Sequence, residues 1–234
     1  MFVMYNTNMC GRYTLAEPDA LKKRFATSNS LPTGVKPNYN TAPTQTMPVI
    51  LNEGGKHKIE LMQWGVIPVW AKGKKGFGFS TFNAKAETLD EKPMWKKLFK
   101  SKRCLVPATG FYEWKKEGSS KRPFLIHVKG QELFAMAGLY DSWVDDDKGE
   151  VVQTYTIITT TPNSKMKHIH DRMPVILDRE EESMWLEEGV SDADLKLFLN
   201  PYEAKDIDMY EVDPKVGTVK GNNSIELTYP LKEK

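Results

Sequence analysis

Residues Met47 to Gln63 read MPVILNEGGKHKIELMQ. Met47–Leu51 and Lys58–Gln63 are two extended runs, and Asn52-Glu53-Gly54-Gly55 between them is turn-forming by composition, so the pattern predicts two joined strands. Working outward, Arg103–Val106, Phe124–Val128, Glu132–Tyr140 and Val151–Thr160 are further β-like runs, punctuated by Lys129-Gly130 and by the Asp145–Gly149 cluster. Helical spacing is rarer. Pro18–Ala26 predicts a short helix, with Pro18 in its first turn and Leu21 and Phe25 on one face. Pro93–Phe99 predicts a second, with Trp95 and Phe99 opposite a lysine face. Ser191 is an expected N-cap, with acids in the first turn of a helix running through Leu199. Strands dominate the middle and helices decorate them irregularly, with no alternating βαβ units. The fold class expected is therefore α+β: a single domain with a mostly antiparallel, barrel-like sheet core and peripheral helices.

The whole composition agrees. A chain of 234 residues, 40% apolar and 27% charged, is long enough for a sizeable core and has the profile of a soluble globular domain. No run of 18 apolar residues exists, so no membrane span is expected. The first ten residues lack a basic region and a long apolar stretch, so no secretory signal is expected. Two cysteines, Cys10 and Cys104, allow at most one bridge, and a reduced cytoplasmic chain is the expectation. Net charge is only +2, yet between Trp70 and Arg103 ten basic residues face three acidic ones. That asymmetry fits a polyanion partner, and equally a solvated lysine-rich surface.

Four polar residues sit in unusual contexts, each with an ordinary alternative. Cys10 is either a reactive thiol or a buried structural one; Cys104, inside an apolar run, fits the structural role. Glu113 lies in Gly110-Phe111-Tyr112-Glu113-Trp114. It points outward on a strand with the aromatics inward, or it is a carboxyl against aromatic walls, with a raised pKa suited to proton transfer. His170 is a proton-transfer candidate or a surface residue before Pro174, and the His168/His170 pair lacks partners at zinc-ligand spacing. Asn83 is an orienting group or a turn residue. Hydrolase and phosphate-loop signatures are absent, and no metal or cofactor is expected.

Six ordered blocks then carry a resemblance. They are Met9-Cys10-Gly11-Arg12-Tyr13, Tyr39-Asn40-Thr41-Ala42-Pro43-Thr44-Gln45, Trp64 to Ala71, Asn83-Ala84-Lys85-Ala86-Glu87, Arg103 to Trp114, and His170-Asp171-Arg172-Met173-Pro174. Together they resemble the SOS-response-associated peptidase family, whose members shield abasic sites in single-stranded DNA. The resemblance implies a single domain over residues 9–234, with Met1–Asn8 a non-matching extension. It implies that an N-terminal Cys10 traps the ring-opened sugar aldehyde of an abasic site. The amine forms a Schiff base and the thiol closes a thiazolidine. In that scheme Glu113 shuttles protons, His170 assists sugar ring opening and reversal, and Asn83 orients the Cys10 end.

The same groups are implied in removing whatever precedes Cys10, hence the peptidase label. While residues 1–9 remain attached the Cys10 nitrogen is an amide, and a true start at Met9 is the favoured expectation. Arg12, Lys85 and Arg172 are the implied phosphate contacts, with Lys85 standing where the family usually has arginine and so lacking the planar fork. The lysines from Lys72 to Arg103 form a wider field. Trp64, Trp70 and Trp114 are expected either to stack on bases or to pack in the core. Pro43 and Thr44 are expected to line the pocket, and Thr160 to touch the DNA backbone. The expected partner is single-stranded DNA carrying abasic sites, bound by a monomer. Two other readings stand beside this one: a cysteine peptidase acting on other proteins through a Cys10 thiolate beside His170, and a non-catalytic single-strand binding module.

Overall fold

A computed structural model of the chain describes residues 10–72, 80–145 and 149–232. Residues 1–9, two of the expected basic residues (Lys74 and Lys75) and the centre of the Asp145–Gly149 turn lie outside them. The strands are β1 (Tyr13–Leu15), β2 (Asn38–Thr41), β3 (Thr46–Glu53), β4 (Lys56–Trp64), β5 (Asn83–Lys85), β6 (Arg103–Ala108) and β7 (Gly110–Glu117). They continue with β8 (Ser120–Val128), β9 (Phe134–Asp145), β10 (Glu150–Thr160), β11 (Met173–Pro174), β12 (Ile176–Leu177) and β13 (Ile207–Glu211). The α-helices are α1 (Leu21–Arg24), α2 (Pro93–Ser101), α3 (Arg179–Leu186) and α4 (Asp192–Leu197).

The β3–β4 hairpin forms as the sequence predicts, in register from Thr46 opposite Gln63 to Glu53 opposite Lys56. Gly54 and Gly55 sit at φ 59° and 79°, the left-handed pair that a two-residue hairpin turn of matching twist requires. The hairpin then joins a ring. β3 pairs with β6, β6 with β9, β9 with β10, and β10 returns to β4. This closed five-stranded barrel leaves its central strands no free edge. Closure needs one parallel contact, β10 with β4, and β5 also adds to β10 in parallel. The other pairings are antiparallel. A second sheet, ordered β13-β8-β7-β1-β2, covers one side.

All six residues of β6 are buried. The barrel is narrow where β6, β9 and β10 meet: a Cβ on Gly138 would stand 2.8 Å from the Cys104 sulfur, 2.9 Å from Val106 Cγ2 and 3.0 Å from the Thr156 carbonyl. Cys104 is therefore a packing residue, and both cysteines are free thiols.

The helices sit outside. α2 is opened by Pro93 and buries Trp95, Leu98 and Phe99. Ser191 caps α4, its hydroxyl accepting from the Asp194 amide, although that helix ends at Leu197. The first predicted helix is a 3-10 turn at Pro18–Ala20 running into α1. Arg103, expected in the basic field, is instead buried. Its guanidinium donates to the carbonyls of Phe99 and Lys100 at the end of α2 and of Trp185 and Glu187 at the end of α3. These are the orphan acceptors every helix C-terminus leaves.

Candidate active site

The site assembles where the second sheet meets the barrel. β1 pairs antiparallel with β7, Tyr13 opposite Phe111, and the Tyr112 amide donates to the Arg12 carbonyl at 3.0 Å. The residues just before β1, Cys10 and Gly11, are thereby brought beside Glu113. Alternation along β7 sends Phe111 into the main core with Glu113 on the same face. Tyr112 joins a second apolar cluster with Leu125, Val212, Val216 and Leu227, against which Trp114 packs. The outward-pointing alternative for Glu113 is thus overturned: it faces inward and is 2% exposed.

Cys10 is 3% exposed and buried in the main core. Its thiol is close enough to Glu113 to feel that carboxylate's charge. Burial pushes the thiol well above its ordinary value, and the neighbouring carboxylate charge adds to the rise. Burial likewise raises Glu113, to about 7, against a smaller opposing pull from His170. A carboxyl poised there holds and releases a proton near neutrality. Its Oε1 has no hydrogen-bond partner and lies 3.7 Å from His170 Nδ1.

Asn83 opens β5, set opposite Ile157 of β10. Its Nδ2 donates to the Cys10 carbonyl at 2.8 Å, while its buried Oδ1 is left without a partner. His170 follows a 3-10 turn, its amide bonded to the Met166 carbonyl. The Arg172 amide donates to His170 Nδ1 at 3.1 Å. The Arg172 carbonyl and Asp171 Oδ1 each stand 3.3 Å from the same nitrogen, so the His170–Arg172 turn holds the ring at Nδ1 and leaves Nε2 outside these contacts. Cys10, Asn83, Glu113 and His170, far apart in sequence, are thus brought together. Among the described residues no group of three or more His, Cys, Asp or Glu could hold a metal ion.

The residues expected at DNA divide. Trp70 is 69% exposed. Lys85 is exposed at the end of β5, and Trp114, Pro43 and Arg12 are half-buried. Trp114, Pro162 and Ile169 form the apolar part of a cavity of about 420 Å3 that reaches His170 and is bordered by Lys116 and Lys167. Neither lysine was singled out from sequence.

Three expectations need correction. Trp64 is wholly buried, its Nε1 donating to the Phe82 carbonyl and its rings packed on Tyr13 and Tyr155, so neither face can meet a base. Thr160 is buried where β10 pairs with β11. Arg172 is buried with its fork closed on Glu87, at 2.6 and 2.9 Å, and on the Thr159 carbonyl, so that fork offers no bidentate phosphate contact. Glu87 was missed because a carboxylate in a basic segment looks like a solvated charge. Only its place in the same block as Asn83 could have signalled it.

The comparisons with known proteins agree with one another. The sequence model of the SOS response associated peptidase (SRAP) family matches residues 9–219. The chain is 46% identical over 223 residues to the abasic site processing protein YoqW of Bacillus subtilis, covering 94% of this chain and 98% of that one. It is 35% identical over 198 residues to the abasic site processing protein HMCES of Xenopus tropicalis, covering 72% and 59%. A crystal structure of a Bacteroides thetaiotaomicron protein superposes with a TM-score of 0.88 at 30% identity, over 95% of this chain and all of that one.

Proposed function

The chain belongs to the SOS response-associated peptidase family, and on that premise we propose that it processes abasic sites in DNA by forming a covalent cross-link through Cys10. The observation that carries the reading is the convergence of Glu113, raised to about 7 by burial, with Cys10, whose carbonyl Asn83 holds at 2.8 Å, and with His170 at 3.7 Å.

Once the Cys10 nitrogen is a free amine, it adds to C1′ of the ring-opened sugar. Protonated Glu113 supplies the proton that departs with the carbinolamine hydroxyl as water, and the nitrogen then returns its proton to the Glu113 carboxylate, which leaves a neutral imine. The thiol then adds to the same carbon, its proton passing through Glu113 to the nitrogen, which closes a five-membered thiazolidine. An α-amine with an ordinary pKa of about 7.7–8.0 is partly neutral at cellular pH, whereas a lysine near 10.4 is not. Asn83 holds the Cys10 carbonyl, and its unpartnered Oδ1 is an acceptor for the new N–H. His170 serves the sugar hydroxyls during ring opening and reversal. The Met9–Cys10 peptide bond must first be broken, by the same groups or by ordinary methionine trimming from a start at Met9.

The raised thiol argues against a thiolate peptidase acting on other proteins. The flanking strand runs past exposed Trp70 on one side and through the Trp114 cavity on the other, with Lys85, Lys116 and Lys167 near its phosphates. One gel tests the proposal. A chain beginning at Cys10 forms a heat-stable adduct with single-stranded DNA carrying an abasic site. A chain retaining residues 1–9 forms it only in proportion to the Cys10 ends exposed. Binding without any adduct from either chain would sink it.

A further inference from the structure

Arg172 joins two segments that carry site residues. Its guanidinium holds both carboxylate oxygens of Glu87, at 2.6 and 2.9 Å, and Glu87 lies in the 3-10 turn directly after β5, whose first residue is Asn83. The same guanidinium donates to the Thr159 carbonyl at 2.6 Å, while the Arg172 backbone amide donates to His170 Nδ1. The Glu87 side chain is the half-exposed end of this chain of contacts and the Arg172 side chain the buried one. The hydrogen bonds from Arg172 lower the Glu87 carboxyl below its ordinary value, so the pair stays charged at neutral pH. A bidentate pair of this geometry fixes direction as well as distance.

We propose that Glu87 is a positioning residue: by clamping Arg172 it fixes the His170–Arg172 turn, and so holds the His170 ring in one orientation beside Glu113. It touches neither the sugar nor Cys10. The claim rests on the cross-linking reading for its kinetic effect, but not for its structural one. The alternative role for a carboxylate on this arginine is to occupy the fork until a DNA phosphate displaces it.

The test uses Glu87→Gln and Glu87→Asp in the chain beginning at Cys10, with folding checked by circular dichroism. Three quantities are measured. They are the cross-linking rate at saturating abasic single-stranded DNA, the affinity for the same strand carrying a non-reactive tetrahydrofuran site, and the imidazole 15N spectrum at pH 8.5. Positioning predicts a rate lowered about tenfold in E87Q and affinity unchanged within about twofold. It predicts partial recovery of rate in E87D, and one sharp pair of His170 imidazole 15N signals in the wild type that shifts or broadens in E87Q. Tighter binding by E87Q at an undiminished rate would overturn it in favour of the displaced-fork role. An unchanged His170 imidazole spectrum in E87Q would overturn it outright. If the wild type forms no adduct, the functional reading fails, and the imidazole spectrum alone decides the clamp. Should E87Q fail to fold, E87D, which keeps the charge but shortens the reach, decides on the same readouts.

Discussion

Replacing Glu113 by Gln separates what this carboxyl contributes to the fold from what it contributes to chemistry. Burial raises the group from 4.5 to about 7, a rise that corresponds to about 3 kcal/mol. The folded chain keeps the proton at pH values where the unfolded chain has released it. The stability tied to that proton is complete below pH 4.5 and is lost as pH rises through about 7. Gln has the same shape and no proton to lose, and its amide still offers the Cys10 thiol a partner. The stability of E113Q relative to the wild type is therefore expected to climb by about 3 kcal/mol between acid and mildly alkaline pH. Over the same range cross-linking falls about a hundredfold or more, the usual loss for a positioned acid–base group. Urea denaturation of both proteins at pH 4.5, 6, 7 and 8, with the adduct yield in parallel, checks both. A stability difference that stays flat across that range would refute the buried, half-titrated carboxyl on which the chemistry rests.

Other outcomes follow from the same geometry. Cys10→Ser in a chain beginning at that residue keeps the amine but cannot close the sulfur ring. Its heat-stable adduct should drop more than about tenfold and return when borohydride traps the imine. Trp64→Ala should cost about 3–5 kcal/mol of stability, as deletion of a core aromatic does. Trp114→Ala should leave the denaturation midpoint nearly unmoved and weaken single-strand binding by about 1–3 kcal/mol. Gly138→Ala drives a methyl group into Cys104, Val106 and the Thr156 carbonyl, and should destabilise by about 1–3 kcal/mol in a thermal melt.

The barrel was legible wherever period and punctuation agreed. The β3–β4 hairpin and the strands Arg103–Val106, Phe124–Val128 and Val151–Thr160 appear within a few residues of their predicted limits. What stayed hidden was pairing. The parallel return of β10 to β4 that closes the ring is a long-range contact with no local signature. α3 was missed because Arg179-Glu180-Glu181-Glu182 looks like a charged loop. Its start is nevertheless written in a capping box between Asp178 and Glu181, and Glu182 is buried against Arg24 at 2.9 Å.

In the site, the residue types were visible but their directions were not. Whether Glu113 faces the core depends on which face of β7 the barrel covers. Charge misled in a consistent way: Arg103 and Arg172 read as DNA contacts and are buried clamps, because a sequence shows a cation but not the carbonyls or carboxylate that consume it.

The central claim is that the backbone nitrogen and the sulfur of one cysteine both end up on one sugar carbon. Tandem mass spectrometry of the nuclease-trimmed adduct tests this directly. The account predicts a peptide beginning at Cys10, heavier by the trimmed sugar fragment less one water, with its thiol blocked to alkylation. An adduct of equal yield whose peptide retains residues N-terminal to Cys10, or whose Cys10 thiol still alkylates, would contradict it.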